Sequence, residues 1–299
     1  MCGIVGYLGS RDATPIILNG LKRLEYRGYD SAGIAVMNGG QIDVRKDAGK
    51  LSQLVDLVNK SPLKGAPGIG HTRWATHGAP SARNSHPHVG NSGKTVVVHN
   101  GIVENFLELK DELSSEGVVF NSDTDTETIV HLAEHHHAAG ISFTEAARRT
   151  FKQIEGANVV LLMSTDEPDK IVTARIGNAG GVVIGLGENE NYIASDIPAI
   201  LEHTRKVIFL ESKQMAIVTR DSVRIETLDG VEIKPEIHTI NWDAVSAEKG
   251  EYRHFMQKEI HEQVRALTDT LAGRVDFKEG RIRLPELKLT PELAKRIQR

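Results

Sequence analysis

Cys2 to Leu8 is an unbroken apolar run of strand length. Thr14-Pro15 then reads as a helix start, a Thr cap followed by Pro at the first helical position. Ile17, Leu18, Leu21 and Leu24 give that helix an apolar stripe. Tyr26 to Ser31 reads as a turn into a strand, Ala32–Met37. Asn38-Gly39-Gly40 predicts a hairpin turn, with Gln41–Lys46 returning. A short helix is expected at 51–59. Gly68–Trp74 is the next strand, and it enters a loop of small and polar residues from Ala75 to Pro87. A loop of this length inside a compact domain is functional or disordered. Thr95–His99 is a β-branched strand that ends at Asn100-Gly101, and helical patterns occupy 106–114, 126–139 and 143–153.

From Ala157 the period changes to that of strands: Ala157–Ser164, Ile171–Ile176, Gly181–Leu186, Tyr192–Ala194, Lys206–Leu210, Met215–Val218 and Val223–Thr227. Helices thus cluster mid-chain, with strands on either side. That order predicts an α+β protein of layered sheets faced by helices, not alternating βαβ units. Residues 236–257 read as irregular. Helical signals resume at Gln257–Leu271 and Pro291–Gln298, the latter with Thr290 as cap. The organisation predicted is one domain over 2–240 and a helical connecting segment over 241–299 that lacks a full core of its own. There is no internal repeat or low-complexity tract.

Composition narrows the class. With 299 residues, 39% hydrophobic and 25% charged, the chain reads as globular and long enough to bury a large core. A net charge of −4 gives no electrostatic footprint for nucleic acid. No apolar run approaches membrane-spanning length, and no basic-then-apolar leader opens the chain, so a cytoplasmic location and no membrane partner are expected. The single cysteine excludes an intrachain disulfide and fits a reducing compartment.

That cysteine is Cys2. Removal of Met1 would leave one residue carrying both a thiol and a free α-amine, and an α-amine titrates near pH 8, low enough to serve as a base. The alternative is a small apolar residue opening a buried strand. Three further positions suit an amide hydrolase built on it. Asn100 and Gly101 offer a side-chain amide and a backbone N–H to an oxyanion, or form an ordinary Asn-Gly turn. Arg73 suits bidentate capture of a carboxylate, or makes a surface ion pair. Asp125 suits an ammonium group, or caps the helix it begins. An amino acid presents both charges, and its side-chain amide would then reach Cys2.

Two competing motifs point elsewhere. His131-Leu132-Ala133-Glu134-His135 matches H-x-x-E-H, with both histidines on one helix face as zinc ligation requires, although spacing identifies no third ligand. The bland reading is a polar helix face. Gly185-Leu186-Gly187 follows a strand, but Glu190 occupies the third glycine position of a dinucleotide-binding fingerprint, which excludes it.

Six segments carry a resemblance: CGIVGY at 2–7, LEYRGYDSAGIAV at 24–36, GHTRWATHG at 70–78, HNGIVENF at 99–106, SDTDTETI at 122–129 and YRHFMQKEIHEQ at 252–263. In this order they resemble the glutaminase (glutamine amidotransferase) part of the glutamine–fructose-6-phosphate aminotransferase family. The second and last segments favour that family over the purine-pathway amidotransferases, which are similar at the N-terminus. The resemblance implies an N-terminal-nucleophile hydrolase fold, a four-layer αββα sandwich. It implies Cys2 as nucleophile with its α-amine as base, and Asn100 and Gly101 as the oxyanion hole. Arg73 is implied to bind the α-carboxylate of L-glutamine and Asp125 its α-ammonium. Trp74, Thr76 and His77 are implied to belong to a loop closing over glutamine, and Arg27 to support Asn100 from behind. It implies no metal or organic cofactor. The implied partners are sugar-isomerase domains that bind fructose 6-phosphate and accept the ammonia, and a homodimer is among the states it allows. Those domains would begin about where this sequence ends, so a fragment that makes no amino sugar alone is expected. Val264 stands where the family carries proline, which puts the local turn in question.

Overall fold

In the computed structural model, residues 2–241, 252, 255–271, 274–276 and 281–282 are described. Contacts divide the chain into Met1–Ser246 and Ala247–Arg299. In the first unit one sheet has eight strands, in the order β15 (His238–Thr239), β11 (Lys206–Phe209), β9 (Val183–Leu186), β10 (Asn191–Ala194), β1 (Gly3–Leu8), β4 (Gly68–Arg73), β2 (Ser31–Asn38) and β3 (Gln41–Ala48). The other has seven, in the order β14 (Glu232–Ile233), β13 (Val223–Thr227), β12 (Gln214–Thr219), β8 (Lys170–Ile176), β7 (Asn158–Ser164), β6 (Thr95–Gly101) and β5 (His88–Val89). The pairings within both sheets are antiparallel.

Three apolar layers separate four structural ones. Ile17 and Leu21 of α1 (Ala13–Arg23) and Leu54 and Val58 of α2 (Leu51–Lys60) pack on Val5, Tyr7, Ile34 and Val36 of the first sheet. Ile4, Leu8 and Ile69 of that sheet meet Val96, Val98, Leu161 and Ile171 of the second. Val97, Leu162 and Val172 on the far face pack against α3 (Phe106–Ser115), α4 (Thr126–Ala138) and α5 (Phe143–Gln153) through Leu109, Ile129 and Phe151. The result is an αββα sandwich, as the resemblance implies. Both faces of each sheet are covered, which is why strands such as β1 read as continuous apolar runs and not as alternation. Alternation is still at work: Val5 and Tyr7 face the helices, while Ile4 and Leu8 face the other sheet.

Most predicted elements stand within a residue or two of their expected bounds. The hairpin turn has Gly39 and Gly40 at φ 57° and 84°, as a two-residue turn with both centres left-handed requires, and Asn38 pairs with Gln41. The start of α1 differs from expectation. Ala13 is its first residue and Asp12 stands before it, so Pro15 sits inside the first turn. Proline is tolerated there because first-turn N–H groups have no intrahelical partner. Thr14 is no cap: its hydroxyl donates to the Leu63 carbonyl. Strands β5, β14 and β15 are two residues each, too short to leave a period in sequence.

In the second unit, α6 spans Phe255–Leu271, and β16 (Val275–Asp276) pairs antiparallel with β17 (Arg281–Ile282). The helix runs through Val264 without a break. Valine, unlike proline, keeps the N–H a helix interior needs. The helix expected at Pro291–Gln298 and its cap Thr290 lie outside the described residues.

Candidate active site

Cys2 immediately precedes β1, whose inter-sheet positions are Ile4 and Leu8, so alternation turns Cys2 toward the same layer. Its sulfur accepts the Trp74 N–H at 3.1 Å. Burial pushes the thiol above its ordinary value, against the lowering effect of the Trp74 backbone hydrogen bond, so the sulfur rests protonated. A base must therefore remove its proton for it to act as a nucleophile.

Asn100 and Gly101 are the last residues of β6, paired with Val159 and Asn158 across the sheet, and not an ordinary turn. Asn100 is buried and its Nδ2 donates to the Cys2 carbonyl at 3.0 Å. Gly101 has φ +135°, and a Cβ there would lie 2.1 Å from the Ala157 carbonyl oxygen, so only glycine fits. Behind Asn100 stands His71 of β4, which sequence reasoning passed over. Its Nε2 is 3.0 Å from both Asn100 Oδ1 and the His99 carbonyl. Alternation held the signal: His71 lies between Ile69 and Arg73 on one strand face. Arg27 reaches the Ser195 carbonyl at 3.2 Å and Asp196 at 3.0 Å.

Arg73 closes β4 and is 4% exposed, which excludes the surface ion pair. Its Nη2 donates to the carbonyls of His77 and Gly78, while Nη1 is buried without a hydrogen-bond partner. Burial lowers this guanidinium from its ordinary value, and nearby Asp125 and Asp30 act in the opposite sense. A buried donor left unpaired is costly unless a ligand supplies the acceptor. Asp125 stands at the start of α4 but does not cap it. Its side chain makes no cap bond and instead accepts the Val103 N–H at 2.8 Å.

These groups converge on one cavity of ≈ 390 Å³, lined by Cys2, Arg73, Trp74, Thr76, Asn100, Gly101 and Asp125 among others. Trp74 is 47% exposed and lies 5.5 Å from Tyr29, ring to ring. His77 gives its carbonyl to Arg73 and packs its ring on Phe106. The cavity thus holds a sulfur, amide donors, an under-paired guanidinium and a carboxylate.

Residues 71–202 match the family model for a glutamine amidotransferase domain. Along its whole length the chain is 49% identical to a protein named glutamine–fructose-6-phosphate aminotransferase (isomerizing) from Caldanaerobacter subterraneus subsp. tengcongensis, and covers 48% of it. A relative of the same name from Symbiobacterium thermophilum is 49% identical over 97% of the chain, which covers 47% of that protein. The chain therefore spans about half the length of the curated relatives it matches. Among solved structures, glutamine phosphoribosylpyrophosphate amidotransferase from B. subtilis, complexed with ADP and GMP, superposes with a TM-score of 0.66 at 25% identity, over 76% of this chain and 49% of that one. The first unit thus has the α+β sandwich of the N-terminal-nucleophile type.

The zinc alternative fails on geometry. His131 is buried and 3.3 Å from Glu127. Glu134 is bound to Ser92, and His135 pairs with Glu116 at 2.8 Å. The three side chains turn to three separate partners, and no group of three or more metal-ligating side chains occurs among the described residues. Glycines 185 and 187 lead into a hairpin from β9 to β10, not into a helix. Among the described residues no helix is long and apolar enough to cross a membrane.

Proposed function

We propose that this chain hydrolyses L-glutamine to L-glutamate and ammonia on Cys2, as the ammonia-producing part of a longer glutamine–fructose-6-phosphate aminotransferase. The observation that carries the reading is the shared cavity of Cys2, Asn100, Arg73 and Asp125. Arg73 Nη1 takes the α-carboxylate and Asp125 the α-ammonium, which leaves the carboxamide at the sulfur. The Cys2 α-amine, freed by loss of Met1, accepts the thiol proton as sulfur attacks the amide carbon. The C=O electron pair moves onto oxygen, where the Asn100 amide and the Gly101 N–H stabilise it. Collapse of the tetrahedral intermediate breaks the C–N bond, and the α-ammonium returns its proton to the departing ammonia. Water then attacks the γ-glutamyl thioester, giving glutamate and restoring the thiol.

Trp74, Thr76 and His77 close the loop over bound glutamine, with Arg73 tying that loop down through the carbonyls of His77 and Gly78. Arg27, bound to Ser195 and Asp196, supports Asn100 from behind. The glutaminase domain is 2–240, and 241–299 is a helical segment that connects it to sugar-isomerase domains, which take the ammonia to fructose 6-phosphate in the cytoplasm.

Steady-state ammonia release from glutamine, with intact mass on the same sample, tests this reading. Chain starting at Cys2 should turn over, and a glutamine-like electrophile should add one label on Cys2. Full-rate hydrolysis by protein that retains Met1 would overturn the base assignment.

A further inference from the structure

Asn100 has two faces, and both are specified. Its Nδ2 meets the Cys2 carbonyl, which only accepts, so the amide oxygen turns to the other side. There it meets His71 Nε2, which also faces the His99 carbonyl. Two acceptors on one ring nitrogen place the hydrogen on Nε2 and leave Nδ1 bare. Nδ1 is in fact buried without a partner, as a lone pair tolerates better than an N–H. Burial holds His71 at about 3, far below the ordinary imidazole value, so this single-proton form persists at working pH.

The ring itself is held. His71 is fully buried in β4, opposite Ile4 and Gly33 in the two neighbouring strands. His86 lies against it with ring centroids 4.2 Å apart. Lys46 donates to the carbonyls of Ser85 and Pro87, on either side of His86, at 2.8 Å and 3.0 Å. Gly33 gives this loop room, since a Cβ there would stand 2.1 Å from the His86 carbonyl oxygen.

We infer that His71 is a positioning residue for amide hydrolysis: its Nε2–H fixes the orientation of the Asn100 amide, so that an Nδ2–H and not Oδ1 faces the oxyanion. Reversal of the amide would set Oδ1 against the Cys2 carbonyl and Nδ2 against the His71 N–H, losing both bonds. The inference rests on the glutaminase reading above. His71 touches neither substrate nor sulfur, and its effect passes through Asn100.

The test is a cycle in the full chain. His71→Leu removes the donor at similar bulk, and His71→Gln returns an N–H near the Nε2 position. His71→Leu should lower kcat for glutamine about 10–100-fold, below the 10²–10³ loss typical of deleting an oxyanion donor, with KM little changed. Affinity for the aldehyde analogue of glutamine, which forms an oxyanion on Cys2, should fall in parallel with kcat. Alkylation of Cys2 by iodoacetamide should keep its rate. His71→Gln should recover most of the loss, and His71→Leu should add little in an Asn100→Ala background. Unchanged kcat, a Gln variant as poor as Leu, or full additivity with Asn100→Ala would each overturn the positioning role. If the unaltered chain neither hydrolyses glutamine nor takes an electrophile on Cys2, the glutaminase reading falls and this inference with it. Turnover by that chain with a failed cycle removes the inference alone.

Discussion

Along β4 and β6 the side chains facing the opposite sheet change character within two residues. Ile69 gives way to His71 and Arg73, and Val96 and Val98 give way to Asn100. The alternation is the same throughout, so one geometric rule places both an apolar seam and a polar wall. What differs is how each is satisfied. The seam gains from area removed from water, roughly 1.5–3 kcal/mol for each fully buried aliphatic side chain. The wall must pair its buried donors or leave them for a ligand. His71 Nε2 is paired, to Asn100 and the His99 carbonyl, whereas Arg73 Nη1 is not. The unpaired N–H of Arg73 therefore marks where substrate belongs, whereas the bare Nδ1 of His71 is a lone pair that tolerates burial.

Four experiments test this contrast. The largest effect is expected from Cys2→Ala at the polar end. Glutamine hydrolysis should fall by about 10⁴-fold or more while the denaturant midpoint barely moves. Turnover near the original rate would refute the nucleophile. Next, Arg73→Ala removes one partner of a desolvated charge pair, typically 2–5 kcal/mol, so KM should rise on the order of 10²- to 10³-fold. An unchanged KM would place the carboxylate elsewhere.

At the apolar end, Leu161 is fully buried between the sheets. Leu161→Ala should cost about 2–5 kcal/mol in urea unfolding and leave KM near its original value. A variant that loses KM and not stability would erase the distinction between the two ends.

The fourth experiment reads a slope in pH. Burial holds His71, His86, His88 and His99 below their ordinary value, His71 at about 3. Such groups take up protons in the unfolded chain before the folded one, so stability falls as pH drops below about 6.5. Each contributes about 1.4 kcal/mol per pH unit until its folded value is reached. Burial acts to raise Glu127, but hydrogen bonds from His131, Asn121 and Ser122 hold it at about 2. Its contribution adds to the loss from about pH 4.5 downward. Equal unfolding midpoints at pH 7 and pH 5 would show that the histidine cluster takes protons without cost.

Much of this was legible in the linear chain. Continuous apolar runs marked the strands because both sheet faces are covered, and the change of period near Ala157 marked the layered order. Cys2, Arg73, Asn100 and Asp125 were visible because each pairs a chemically suited side chain with a position at the edge of an element. Sequence left the alternatives for each of them open, since exposure and pairing depend on what lies opposite. Only tertiary structure removed those of Asn100, Arg73 and Asp125. It paired Asn100 and Gly101 within a strand, buried Arg73 with one nitrogen left over, and gave Asp125 to Val103 and not to its own helix. It also sent His131, Glu134 and His135 to separate partners, although the spacing put two of them on one face. Local periodicity reports which way a side chain points, whereas the partner it meets is set by chain far away in sequence, which is why His71 became informative only once β4 lay against β6.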